Sequence, residues 1–280
     1  MRFQSQCLAI LFFTSVFLCG CTRAGGGQDN LNAVLWVQTS VEYTATTTGI
    51  YEAATTELRR VVEARADAGR PLAVVLDLDE TILDNSRYKA HELLVRSQDR
   101  RKSWDQWIAL RNATAVPGAV EFVRVSQELG VAVYVITNRR CEPRLDSKGE
   151  CPQQEDSLAN LLQTGLKIDD QALLFRGERP PEQCLELLIG AERETGSWST
   201  ADKTSRRACV RHDFDVVLIA GDQLSDFVGD IGNSTLESRD ALQSQYQHMW
   251  GRTWFMIPNP TYGAWFRLLY PDRRSHLIED

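Results

Sequence analysis

No apolar run in this 280-residue chain is long enough to cross a bilayer, basic residues are not in excess, and histidine is scarce. Each shortage closes off a class of function. A spanning helix needs about 20 apolar residues; the stretch around Leu8-Ala9-Ile10-Leu11-Phe12-Phe13 has only the length of a signal-peptide core. Thirty-eight acidic residues against 31 basic ones leave a formal net charge of -7, which disfavours non-specific binding of nucleic-acid polymers. Acidity does not exclude a small anionic substrate, because a metal and a few local cations can reverse the field inside one pocket. The four histidines, His91, His212, His248 and His276, are scattered and form no ligand motif. A non-catalytic, haem-binding surface lipoprotein is therefore the weaker alternative. Internal repeats and low-complexity segments are absent too.

What is present at the N-terminus reads as an export signal. Arg2 is its one charge, the apolar core follows, and Leu18-Cys19-Gly20-Cys21 resembles the bacterial lipobox. Residues 1–20 are thus expected to be a lipoprotein signal peptide, with membrane contact only through a lipid on Cys21. Thr22 in place of Asp favours the outer membrane of a Gram-negative cell. Residues 21–33, rich in glycine, are expected to be a flexible tether, and residues 34–280 the functional domain. Of the seven cysteines, Cys7 and Cys19 leave with the signal and Cys21 carries lipid. Cys141, Cys151, Cys184 and Cys209 remain, an even number in an oxidising compartment. Three pairings are open; sequence proximity favours Cys141 with Cys151 and Cys184 with Cys209. Their spacings match no zinc pattern.

The body of the chain alternates apolar strands with helices. Residues 31–70 read as helical, and strands are predicted at 72–78, 131–136, 172–175, 216–220 and 253–257. That alternation predicts an α/β fold with a doubly wound parallel sheet, Rossmann-type in its core. The polar stretch 86–114, which carries Trp104 and Trp107, reads as a small helical cap. Ligands of such sheets bind beyond the carboxyl ends of the strands, and the polar motifs sit there. Asp77-Leu78-Asp79 ends the first strand, with two carboxylates on one face. Adjacent like charges call for a cation between them. One such carboxyl can attack phosphorus while the other protonates the leaving oxygen. Thr137-Asn138 ends the second strand, where a hydroxyl and a backbone N–H can hold phosphoryl oxygens. Asp222 and Asp226 follow the fourth strand with a spacing that suits metal ligation, and Lys203 is the best-placed lysine to neutralise a phosphate.

In this order the motifs resemble the haloacid dehalogenase superfamily of phosphohydrolases. The likeness is closer to the class C acid phosphatases, bacterial lipoproteins that include an outer-membrane 5'-nucleotidase. It rests on the two acidic signatures, Asp77 to Ser86 and Gly221 to Phe227. Trp36 to Tyr43, Val116 to Phe122 and Pro258 to Trp265 are further similar segments. The resemblance implies that Asp77 is a nucleophile forming an aspartyl-phosphate and Asp79 the general acid and later base. It implies Mg2+ held by Asp77, the main-chain carbonyl of Asp79 and Asp222, with Asp226 supporting that shell. Thr137, Asn138 and Lys203 would hold the phosphate, and Trp107 and Tyr262 would stack on the organic part of small phosphomonoesters such as nucleoside monophosphates. Trp104 is expected to pack in the core. Phosphotransfer to an alcohol through the same intermediate is an alternative, and the sequence is compatible with an oligomer. Two departures stand out: Gln223 replaces the family's usual Asn, and the segment Arg176 to Thr200 intervenes between the third strand and Lys203.

Overall fold

The computed structural model describes residues 30–65, 69–95, 100–145, 147 and 149–278. The expected signal peptide, the lipid on Cys21 and all of the tether up to residue 29 lie outside these. Two helices, α1 (Leu31–Thr39) and α2 (Val41–Glu63), precede strand β1 (Leu72–Leu76). Short strands β2 (Leu83–Asp84) and β3 (Thr114–Ala115) bracket α3 (Ser86–Leu94) and α4 (Arg100–Leu110). Then come α5 (Ala119–Glu128), β4 (Ala132–Arg140), α6 (Pro152–Gln163) and β5 (Leu173–Arg176). The chain continues through α7 (Ala191–Thr195), α8 (Thr204–Asp213), β6 (Asp215–Gly221), α9 (Leu236–Gln245), β7 (Trp254–Met256) and α10 (Ala264–Arg267).

Among the described residues, five strands form one sheet in the order β5-β4-β1-β6-β7, and every pairing in it is parallel. Leu72-Ala73-Val74-Val75-Leu76 is buried at every position because β1 is the middle strand and is covered on both faces. Alternation sends Val74 and Leu76 to one face, against Tyr51 and Leu58 of α2 and Phe122 of α5. Ala73 and Val75 go to the other, against Trp198 and Val210. The chain leaves β1 for β4 and β5 on one side, then returns for β6 and β7 on the other. The switch point therefore lies at the carboxyl end of β1, where the two acidic motifs meet.

All five predicted strands are present. The predicted helix 31–70 is two helices, because Ser40 is extended and its Oγ accepts the Tyr43 N–H at 3.0 Å, capping α2. Since α1 begins at Leu31, the last three residues of the expected tether are helical. The cap stretch is α3 and α4, closed at its base by β2 pairing with β3. Gly118 starts α5 with φ +90°, and a Cβ there would press on Tyr51 and Thr48 of α2, so the helix packs closely only with glycine. The segment after β5 folds as a short turn of 3-10 helix, Glu182–Leu187, followed by α7. A Cys184–Cys209 disulfide ties this segment to α8. The other expected pair is not bonded: Cys141 and Cys151 are free thiols close enough to share a hydrogen bond. Among the described residues no helix is long and apolar enough to cross a membrane.

Candidate active site

Sheet pairing carries one residue past β1: the Asp77 N–H donates to the Ala220 carbonyl at 3.0 Å. That bond anchors the first acidic motif beside the second. Asp77, Asp222 and Asp226, all buried, each present a carboxylate oxygen within 4.8 Å of the others. Lys203, 3% exposed, points its ammonium into the group from the N-cap of α8. Its Nζ donates to Asp77 Oδ1 and lies 2.7 Å from Asp226 Oδ1. Thr81 Oγ1 donates to the other Asp77 oxygen at 3.2 Å. Gln223 Nε2 and Asn259 Nδ2 both donate to Asp222 Oδ2 at 2.7 Å, which aims that carboxylate. Asp226 folds back over the end of β6, where the Gln223 N–H donates to it at 2.8 Å. A Cβ on Gly221 would overlap the Asp226 carboxylate, so this close approach requires glycine.

Electrostatics follow from three acids facing one lysine. Burial pushes the Asp77 carboxyl up to about 7; Lys203 pulls the other way, and Asp226 and Asp79 add to the rise. Burial also lifts Asp222 well above the ordinary carboxylate range, with Asp77 and Asp226 adding to it. Burial pulls the Lys203 ammonium down, but Asp226 and Asp77 outweigh it and hold it above its ordinary value. The excess of negative charge, carried only by oxygen donors, fits a hard divalent cation.

Asp79 has no part in that triad. Its carboxylate turns to Arg139, which donates from Nε at 3.0 and 3.2 Å and from Nη2 at 2.7 Å. Asn85 Nδ2 donates to it at 2.9 Å and Thr137 Oγ1 at 3.3 Å. Next to it, Glu80 takes a left-handed backbone (φ 62°) and receives the Tyr262 hydroxyl. Burial and the Asp79 charge push the Glu80 carboxyl up to about 8, against the opposing pull of Tyr262 and Lys89.

The structure thus brings Asp77, Asp79, Thr137, Lys203, Asp222 and Asp226 together. Lys203 reaches the carboxylates although the segment Arg176 to Thr200 precedes it, because that segment is stitched down at both ends. The Gly177 N–H donates to the Trp198 carbonyl at 2.8 Å, the Trp198 N–H donates to the Glu178 carbonyl at 2.9 Å, and the disulfide ties the middle to α8. The Asn138 side chain donates to Ala201 O at 3.1 Å and accepts from Arg206 at 2.8 Å, so the role expected of this residue rests on its backbone N–H and not on its amide. Trp107 is a correction. Its ring is buried in the core cluster and its Nε1 donates to Asn85 Oδ1 at 2.8 Å, so its face is not open for stacking. Trp104, expected to pack in the core, is partly buried against the same cluster and is the more accessible of the two rings. Trp104 packs edge-on to Tyr88 at 4.9 Å. Tyr262 is half-buried with the Lys89 ammonium 4.4 Å from its ring centre.

Several participants were not singled out from the sequence, Thr81, Glu80, Arg139, Asn85, Asn259 and Arg206 among them. Arg139 stands two residues after Thr137, on the same face of β4, and that spacing alone could have flagged it. Asn85, Asn259 and Arg206 carried no such signal. Arg206 is fully buried and donates to the Thr137 carbonyl at 2.5 Å, which braces β4 against α8 beside Thr137. Burial pushes its guanidinium down to about 10.

Comparison with known proteins agrees with this fold. The family described as HAD superfamily, subfamily IIIB (acid phosphatase) matches residues 19–265. The chain belongs to this family. A class C acid phosphatase from Bacillus anthracis, solved with tungstate bound, is similar at 26% identity with a TM-score of 0.71, covering 91% of this chain and 98% of that one. A second structure of the Bacillus anthracis class C acid phosphatase gives the same values. The acid phosphatase family and the buried acid cluster together make this chain a phosphomonoesterase of the HAD α/β fold. The clustered side chains are oxygen donors, and none of the four histidines belongs to the triad.

Proposed function

We propose that this acid phosphatase is an exported, magnesium-dependent enzyme that hydrolyses small phosphomonoesters, nucleoside monophosphates among them, through an aspartyl-phosphate on Asp77. One observation carries the reading: the Asp77 carboxylate lies at the sheet's switch point, paired with the Lys203 ammonium inside a buried acid cluster. A buried carboxylate can approach a phosphate only where its charge is offset, and in phosphoryl transfer positioning and charge stabilisation do most of the work.

In the first step an Asp77 oxygen bonds to phosphorus while the ester P–O bond breaks, and the departing alcohol takes a proton from Asp79. In the second, a water gives a proton to Asp79 and bonds to phosphorus, the Asp77–phosphorus bond breaks, and inorganic phosphate leaves. Lys203, the Thr137 hydroxyl and the Asn138 main-chain N–H hold the phosphoryl oxygens. Asp77, the main-chain carbonyl of Asp79 and Asp222 would hold Mg2+, with Asp226 behind them. When bound, that ion supplies charge neutralisation and fixes the line of attack. Tyr262 and Trp104 are the rings that would contact an organic group, and aromatic faces tolerate different bases. Export and lipidation rest on Leu18-Cys19-Gly20-Cys21.

The test is chemical. Wild-type protein quenched in acid during turnover of labelled phosphomonoester should retain phosphate covalently, and Asp77→Asn should retain none and turn over no substrate. Normal turnover by that variant overturns the reading.

A further inference from the structure

Had β1 run on past Leu76, Asp77 and Asp79, two residues apart, would aim at the same place. They do not. Asp77 joins the acid cluster, while Asp79 is drawn away by four donor groups on its two oxygens. The dominant donor is Arg139, whose side chain is 1% exposed; its Nη2 donates to Asp79 Oδ1 and its Nε is shared between Oδ1 and Oδ2, so both carboxylate oxygens are held. Such a two-pronged contact fixes orientation as well as distance, which a lysine cannot do.

The guanidinium is itself held. Nη1 donates to Ser157 Oγ at 2.8 Å, and Ser157 Oγ donates in turn to the Gln153 carbonyl within α6 at 2.6 Å. Trp104 of α4 lies over the guanidinium, 5.7 Å from ring centre to Cζ. The same helix steadies the second grip, because Trp107 donates to Asn85 Oδ1 and so turns the Asn85 amide N–H toward Asp79. A core helix and the cap helix therefore converge on one carboxylate. Apart from the Thr137 hydroxyl, these contacts involve none of the groups that hold phosphate. Among the described residues the Ser157 hydroxyl bonds only Arg139 and its own helix, so the seat of the guanidinium can be disturbed separately.

We propose that Arg139 is a positioning residue for acid–base catalysis: seated on Ser157 and backed by Trp104, its guanidinium keeps the Asp79 carboxylate out of the acid triad and directed at the leaving oxygen. The proposal rests on the reading of Asp79 as the group that protonates the leaving alcohol. A general acid works only within hydrogen-bond reach of that oxygen, so losing the grip disables the proton transfer while leaving Asp77 able to attack.

Esters with different leaving groups test this. p-Nitrophenolate departs without a proton, whereas a simple alkyl alcohol needs one, and kcat/KM reports the step in which it leaves. For Arg139→Lys, kcat/KM on an alkyl phosphate should fall on the order of a hundredfold, with less than about a fivefold loss on p-nitrophenyl phosphate. Ser157→Ala, which removes the seat of the guanidinium from outside the pocket, should show the same imbalance in smaller measure, and it carries the test should Arg139→Lys fail to fold. Asp79→Asn is the control. If that variant is strongly biased against the alkyl ester while both others lose activity equally on the two esters, the role of Arg139 is overturned and that of Asp79 stands. If Asp79→Asn itself shows no bias, the acid role of Asp79 falls, and the role of Arg139 with it.

Discussion

Lys203 Nζ lies 2.7 Å from Asp226 Oδ1, and the same nitrogen donates to Asp77. The ammonium therefore bridges the two acidic motifs, one at the end of β1 and the other just past β6. Three buried carboxylates converge there, and Lys203 is what makes their company tolerable before any metal or substrate arrives.

Lys203→Met should lower kcat/KM on p-nitrophenyl phosphate on the order of a hundred- to a thousandfold, the usual cost of losing a group that stabilises developing charge. It should also destabilise the fold by roughly 3 kcal/mol, since removing one partner leaves buried charge without compensation. Steady-state kinetics with thermal melts check both. A variant with near-wild-type turnover would show that the lysine serves structure alone.

Metal-free protein should be more stable in mild acid than in mild base. Burial holds Asp77 up to about 7 and Glu80 up to about 8, well above the carboxylate values of an unfolded chain. Between those values the folded state binds more protons than the unfolded one, so this stability is complete at low pH and is lost as pH rises through about 7 and 8. Melts in chelator should give a higher Tm at about pH 5 than at about pH 8. Saturating magnesium should raise Tm more at the higher pH, because the carboxylates bind a cation deprotonated. A chelated melt that improves toward alkaline pH contradicts this account.

The Cys184–Cys209 bridge should matter to activity as well as stability. Cys209 lies in α8, whose N-cap is Lys203, and Cys184 lies in the segment that precedes it. On the chain-entropy model a loop of this length stabilises the fold by about 3 kcal/mol. The Cys184→Ser, Cys209→Ser double variant should melt lower and show a raised KM for phosphomonoesters, as Lys203 loses its register. An unchanged KM alongside a lowered Tm would confine the bridge to stability.

The five strands could be read before any coordinates because a run such as Leu72 to Leu76 is apolar at every position, and only the middle of a parallel sheet buries both faces. The acids at their ends were legible for the same reason, since the end of such a run marks the edge of the sheet. Trp107 was not legible. Whether an indole in a polar segment stacks on a ligand or donates to Asn85 depends on which side of α4 faces the core, and α4 has only a weak apolar stripe. Arg139 was half legible: its spacing from Thr137 is local, but its partner Asp79 is 60 residues away.

By itself the sequence determined the α/β class, the places where strands end, and the pairs of acids waiting there, because hydrophobic runs and two-residue alternation are local properties of the chain. Tertiary structure alone decided which partner each of those acids meets. It brought Lys203 across 126 positions to Asp77 and left Asp79 to Arg139. Which cation meets which carboxylate depends on how the sheet is ordered and how the segment before α8 is tied down, and no short stretch of residues carries that information.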